Sequence, residues 1–93
     1  MFNTNEYFDG KVISIAFETS EGPAKIGVMA AGEYEFGTST VEFMTVTSGE
    51  MTVQQPSETE WKTYKEFETF RVEKNVKFKV KMENDTTYRC LYK

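Results

Sequence analysis

Apolar and polar residues alternate along much of this chain with a period of two. The clearest run is Val76-Lys77-Phe78-Lys79-Val80-Lys81-Met82, where Val76, Phe78, Val80 and Met82 share one face and the lysines share the other. Such alternation is the pattern of a half-buried strand, because successive side chains of a strand point to opposite faces. Lys11–Phe17 sets Ile13, Ile15 and Phe17 on one face, and Thr87–Tyr92 does the same for Tyr88, Cys90 and Tyr92. Further strands are predicted at Lys25–Ala30, Glu33–Gly37, Val41–Thr47, Met51–Gln54, Trp61–Tyr64 and Glu68–Val72. Turn-forming clusters divide them: Ser20-Glu21-Gly22-Pro23, Ala31-Gly32, Ser48-Gly49-Glu50, Gln55-Pro56-Ser57 and Glu83-Asn84-Asp85. No stretch sustains a helical period, and Ser57–Glu60 offers at most one turn of helix before Trp61. About nine short strands at this spacing predict an all-β fold, a single domain over residues 1–93, closed as a sandwich or barrel.

Composition points the same way. Leu occurs once, Val eight times and Thr twelve times among 93 residues, and β-branched residues suit pleated strands better than helices. Hydrophobic residues make up 39%, enough for a core. No apolar run approaches the ~20 residues of a membrane span, so no membrane association is expected. Met1–Glu6 has neither a basic head nor an apolar stretch, so no secretory leader is expected either. A lone cysteine, Cys90, leaves no internal disulfide and fits the cytoplasm.

Charge and the missing residue types narrow the chemistry. Net charge is −4, which disfavours nucleic acid as a partner, since that role needs a cationic surface. The charge is uneven: residues 1–60 carry two Lys against ten acids, and residues 61–93 carry nine Lys/Arg against five acids. That asymmetry reads either as two solvated faces or as an anion-attracting rim built from the second half. Histidine is absent. Its absence removes the commonest general base and the commonest metal ligand, and with them the Ser-His-Asp and zinc constellations.

The most informative segment runs from Gly32 to Gly49. Glu42 lies on a predicted strand and is followed, seven positions on, by Gly49 in a turn cluster. This resembles the end of the first cupin motif, where a strand carries Glu into the barrel and Gly takes the positive φ of the next turn. Metal-binding cupins place two His before that Glu and another in the second motif. The corresponding positions here resemble Phe36, Thr38 and Phe78, so the resemblance implies a pocket with no metal and no other cofactor.

The likeness becomes specific over longer segments. They are Asn5-Glu6-Tyr7-Phe8; Gly10-Lys11-Val12 with Ser14-Ile15 and Phe17; Gly27-Val28-Met29 with Gly32-Glu33-Tyr34 and Phe36; and Glu42 with Met44-Thr45-Val46 and Ser48-Gly49. Trp61, Tyr64, Phe70, Val72, Phe78, Tyr88, Cys90 and Tyr92 complete the pattern. The chain resembles, nearly end to end, the small single-domain cupins known as pyrimidine/purine nucleoside phosphorylases. It departs from them at Phe67 and Glu73, where the family often has Gly and Pro.

The resemblance implies a cupin-type β-barrel, or jelly roll. It also implies a broad nucleoside phosphorylase that uses phosphate as co-substrate to release free base and pentose 1-phosphate. Cleavage passes through an oxocarbenium-like transition state. On this reading Glu42 is the catalytic carboxylate, holding the ribose hydroxyls or stabilising positive charge at the sugar. Tyr34, Phe36, Tyr88 and Tyr92 are the expected wall for the base. Thr38 and Ser39, with backbone N–H groups, are candidate phosphate donors. Arg71 and Arg89 read as surface residues, Arg89 facing away from Tyr88 and Cys90. A homodimer is expected, since edge strands are best covered. Two other readings of a His-free cupin stay open: a non-catalytic module holding a nucleoside or sugar, and a sugar isomerase or lyase that shares only the fold.

Overall fold

Ten strands and no helix make up the computed structural model, which describes residues 1–93. In chain order they are β1 (Thr4–Tyr7), β2 (Val12–Thr19), β3 (Gly22–Met29), β4 (Gly32–Gly37), β5 (Glu42–Ser48), β6 (Met51–Gln54), β7 (Lys62–Tyr64), β8 (Thr69–Val72), β9 (Lys77–Met82) and β10 (Thr86–Tyr92). A six-stranded sheet has the order β1-β2-β3-β10-β5-β8, and a four-stranded sheet has the order β4-β9-β6-β7. All pairs are antiparallel. The two sheets close as a cupin-type jelly roll.

One core of 14 buried residues joins the sheets, among them Val12, Met29, Val46, Phe70, Phe78 and Val80. β9 shows why: Phe78, Val80 and Met82 are buried, and Lys77, Lys79 and Lys81 face water. On that outer face Lys79 and Lys81 stand opposite Glu35 and Glu33 of β4. These two lysines of the basic second half therefore sit on a solvated face with acidic neighbours across the strand pair.

The structure departs from the sequence pattern in three places. There are ten strands rather than nine. The added one, β1, is polar and largely exposed, and it exists through backbone pairing with β2 (Thr4↔Ile15 to Tyr7↔Val12), so it leaves no alternation to read. Ser57–Glu60 forms no helix. In β2 the residues pointing into the core are Val12 and Ser14. Ile13, Ile15 and Phe17 share a face as expected, but it is the outer one, where they sit half-buried.

Two turns need positive φ. Gly49 adopts φ 90°, and a Cβ there would lie 2.8 Å from Thr86 Oγ1, so both conformation and space call for glycine. Between β1 and β2, Phe8, Asp9 and Gly10 take φ 54°, 58° and 83° in succession. Asp and Gly tolerate the left-handed region, whereas a bulky Phe seldom enters it.

Candidate active site

The inner face of the six-stranded sheet forms a grid whose register decides which side chains meet. One row is Ser14, Gly27, Tyr88 and Val46; the next is Ala16, Lys25, Cys90 and Met44. In the third row, Tyr92 stands opposite Glu42. A cavity of about 510 Å³ opens over these rows, within the range of about 300–1,000 Å³ typical of small-molecule sites. From the other sheet, Phe36 and Phe78 close it, and Tyr7 at the end of β1 and Phe8 in the β1–β2 turn complete its rim.

Glu42 begins β5 and points inward, 9% exposed. Its one hydrogen bond from the protein comes from Cys90 Sγ, which donates to Oε1 at 3.4 Å. A thiol is a weak donor, and a carboxylate offers about four acceptor sites. Burial raises the pKa of Glu42 above its ordinary value, a shift moderated by the Cys90 hydrogen bond and by the charge of Lys25.

The neighbouring groups are neutral donors. Burial, with Glu42 alongside, pushes the Cys90 thiol up to about 12. Burial pushes Tyr88 up to about 12 and raises Tyr92 further. None of the three ionises at neutral pH, so Glu42 is the strongest acid of the group and Cys90 is no nucleophile. Tyr88 leans over Gly27, where a Cβ would meet Tyr88 Oη at 2.8 Å and the Ile13 carbonyl oxygen at 2.6 Å.

Of the residues anticipated from sequence, the cavity brings together Glu42, Phe36, Ser39, Tyr88 and Tyr92. Tyr34 and Thr38 lie elsewhere. Tyr34 is buried in the core and donates its hydroxyl to the Ala30 carbonyl at 2.7 Å. Its ring backs the wall, 5.0 Å from Phe8 and 6.3 Å from Phe36 between centroids. Thr38 Oγ1 donates to the Glu73 carbonyl at 2.6 Å and accepts from Val76 N at 3.1 Å. That hydroxyl clips two loops together and has nothing left for a phosphate. Arg71 pairs at the surface with Glu73, and Arg89 lies on the outer face, as the alternation implied.

Sequence reasoning missed Ser14, Lys25, Tyr7 and Phe8. Lys25 Nζ donates to Tyr7 Oη at 3.2 Å and lies 5.7 Å and 5.6 Å from the ring centroids of Tyr7 and Tyr92. Phe8 packs edge-on against Phe36 at 5.6 Å, so the strained turn hangs an aromatic ring over the mouth of the cavity. No group of three or more His, Cys, Asp or Glu side chains is placed to share a metal ion.

Comparison with known proteins places this chain in a family. A protein from Alcanivorax borkumensis bearing the name pyrimidine/purine nucleoside phosphorylase is 59% identical over 99% of this chain and 98% of its own. The crystal structure of a Vibrio parahaemolyticus protein of unknown function superimposes with a TM-score of 0.93 at 39% identity, covering 97% of this chain and 96% of the other. A protein of unknown function from Acinetobacter gives a TM-score of 0.92 at 28% identity, covering 98% and 90%. The sequence profile described as Pyrimidine/purine nucleoside phosphorylase matches residues 2–92, and the chain belongs to that family.

Proposed function

We propose that this protein is a pentosyltransferase that cleaves purine and pyrimidine nucleosides with inorganic phosphate. An oxygen of hydrogen phosphate attacks the anomeric carbon and forms the new C–O bond. The glycosidic C–N bond breaks, and its electron pair goes to the base nitrogen. The proton given up by hydrogen phosphate ends on the base, so the products are pentose 1-phosphate and neutral base.

One observation carries this reading: a carboxylate nine-tenths buried, in an aromatic-walled cavity, with a single weak hydrogen bond from the protein. A buried charge so poorly satisfied is costly unless a ligand uses it. Glu42 accepts hydrogen bonds from the ribose hydroxyls in the ground state and stabilises positive charge at the sugar in the transition state. Phe36, Phe8 and Tyr92 give the base flat apolar surfaces that favour any planar ring.

The chemistry is assigned to the side chains alone, since Phe36 and Phe78 fill positions that resemble those of cupin metal ligands. A homodimer is part of the proposal, supported by Ile13, Ile15, Ile26 and Val28 on the outer face of the six-stranded sheet, where Ile26 is 47% exposed. So is a cytoplasmic setting, supported by a free Cys90 used as a hydrogen-bond donor. The test is release of free base from uridine, inosine and their deoxy counterparts, with and without phosphate, before and after exhaustive chelation. Phosphate-dependent release that survives chelation supports the proposal. Binding without base release would make the protein a nucleoside-binding module instead.

A further inference from the structure

We propose that Lys25 and Ser14, diagonal neighbours on the inner faces of β3 and β2, form the anion subsite of this cavity and hold a phosphate group. The identity of the anion rests on the phosphorolysis reading; its place rests on geometry.

Lys25 is the one basic residue among those lining the cavity. Its ammonium has a neutral hydrogen-bond partner, Tyr7 Oη, and no carboxylate within salt-bridge distance, since the two ion pairs of the chain are Arg71–Glu73 and Lys93–Glu21. The two aromatic rings beside Nζ hold the side chain over the cavity while leaving its charge uncompensated by any direct ion pair.

Ser14 supplies an independent observation. It is 1% exposed, lines the same cavity, and its Oγ makes no well-formed hydrogen bond, although the Tyr88 hydroxyl is near. A buried hydroxyl without a partner costs stability, and one facing a cavity is available to a ligand. Ser14 pairs with Gly27, and Ala16 pairs with Lys25, so Ser14 and Lys25 are separated by a diagonal of about 7–8 Å between Cα atoms. Both side chains line the same cavity, so one tetrahedral oxyanion bound there takes a hydrogen bond from Lys25 Nζ on one oxygen and from Ser14 Oγ on another. Cys90 stands beside Lys25 in register and donates to Glu42, so the carboxylate lies on the far side of Cys90. A negative charge there keeps an anion on the Lys25 side.

The group held is either inorganic phosphate or the phosphate of pentose 1-phosphate, and separate titrations distinguish the two. Binding of each to the intact protein, without nucleoside, is measured by calorimetry and phosphorus NMR for wild type, Lys25→Met, Ser14→Ala and the outer-face control Lys79→Met. Thermal melts accompany each variant. The expected result is at least a tenfold rise in Kd for Lys25→Met and a severalfold rise for Ser14→Ala, with Lys79→Met unchanged. In turnover, the KM for phosphate rises while the KM for nucleoside holds. Unchanged phosphate affinity in folded Lys25→Met and Ser14→Ala overturns the assignment, as does no measurable binding to wild type or an equal loss in Lys79→Met. Should Lys25→Met lose phosphate while wild type cleaves no nucleoside, the subsite stands and the phosphorylase reading falls. Should Lys25→Met carry out phosphorolysis with an unchanged phosphate KM, the phosphorylase reading stands and the subsite falls.

Discussion

Glu42→Gln separates what the carboxylate does for catalysis from what it does to the fold. The amide keeps the size of the side chain and can still accept from Cys90 Sγ, 3.4 Å from the wild-type oxygen. What it loses is charge. Electrostatic stabilisation of a developing cation in a water-poor site is worth about 2–4 kcal/mol, so kcat is expected to fall ~10²–10³. Stability should move the other way. Burial raises the Glu42 pKa above 4.5, so the folded state binds this proton more tightly than the unfolded state does. That contribution is fully present below the unfolded pKa and is lost as pH rises through the raised folded pKa. Glu42→Gln has no such loss. Its melting temperature, relative to wild type, is therefore expected to climb from about pH 4 upward and to equal or exceed wild type at pH 7. The assays are phosphorolysis under saturating phosphate and thermal melts over the same pH range. The acid limb of the wild-type rate profile should lie above 4.5 and vanish in the variant. Full turnover in a folded Glu42→Gln protein, or a melting temperature that drops against wild type as pH rises, refutes the argument.

Three other substitutions probe individual contacts. Gly27→Ala drives a Cβ to within 2.6 Å of a backbone oxygen and 2.8 Å of Tyr88 Oη, an overpacking that costs about 1–3 kcal/mol; the melt should fall, and KM should rise because Tyr88 moves. Phe67→Gly should raise the melting temperature by a few degrees: Phe67 is 74% exposed and sits at φ 70°, where a side chain costs about 1–2 kcal/mol, more than glycine loses in entropy. Phe36→Ala should weaken purine and pyrimidine nucleosides together, since a stacking surface is worth about 1–3 kcal/mol for either; loss confined to one class in a substrate panel counts against a stacking wall.

The alternation reached an all-β sandwich or barrel because strands with a buried face must alternate, and nine of the ten do so well enough to place; the jelly roll itself was implied by the family resemblance. Glu42 was singled out by its resemblance to the end of the first cupin motif, a strand Glu followed by a turn glycine; the spacing alone, between two common residues, carries little. The alternation did not reach Lys25 for a physical reason. In β3 the apolar residues Ile26 and Val28 carry the alternation, yet they face outward. The inward set is Lys25, Gly27 and Met29, so the hydrophobic signal on this strand points away from the cavity. Ser14 was hidden in the same way by Ile13 and Ile15. Tyr34 and Thr38 had the right chemistry and neighbourhood, but their hydroxyls are spent on Ala30, Glu73 and Val76, partners distant enough in sequence or irregular enough in geometry to leave no local signature.

On the proposed phosphorolysis, the charge arrangement of the cavity is what would let a pocket without histidine discriminate between ground and transition state. The thiol and phenol donors around Glu42 are neutral and stay so, because burial holds Cys90, Tyr88 and Tyr92 protonated. Their hydrogen bonds to a sugar change little as the glycosidic bond breaks, and they support binding in both states alike. The carboxylate interaction does change, since a neutral pentose becomes a partial cation beside a fixed anion in a site of low polarity. Had the phenols or the thiol ionised, their charges would have competed with Glu42 and repelled the incoming phosphate. On this proposal, a single buried carboxylate with the one cation of the cavity set across Cys90 from it would let opposite charges serve the two reactants without cancelling each other as a direct salt bridge would.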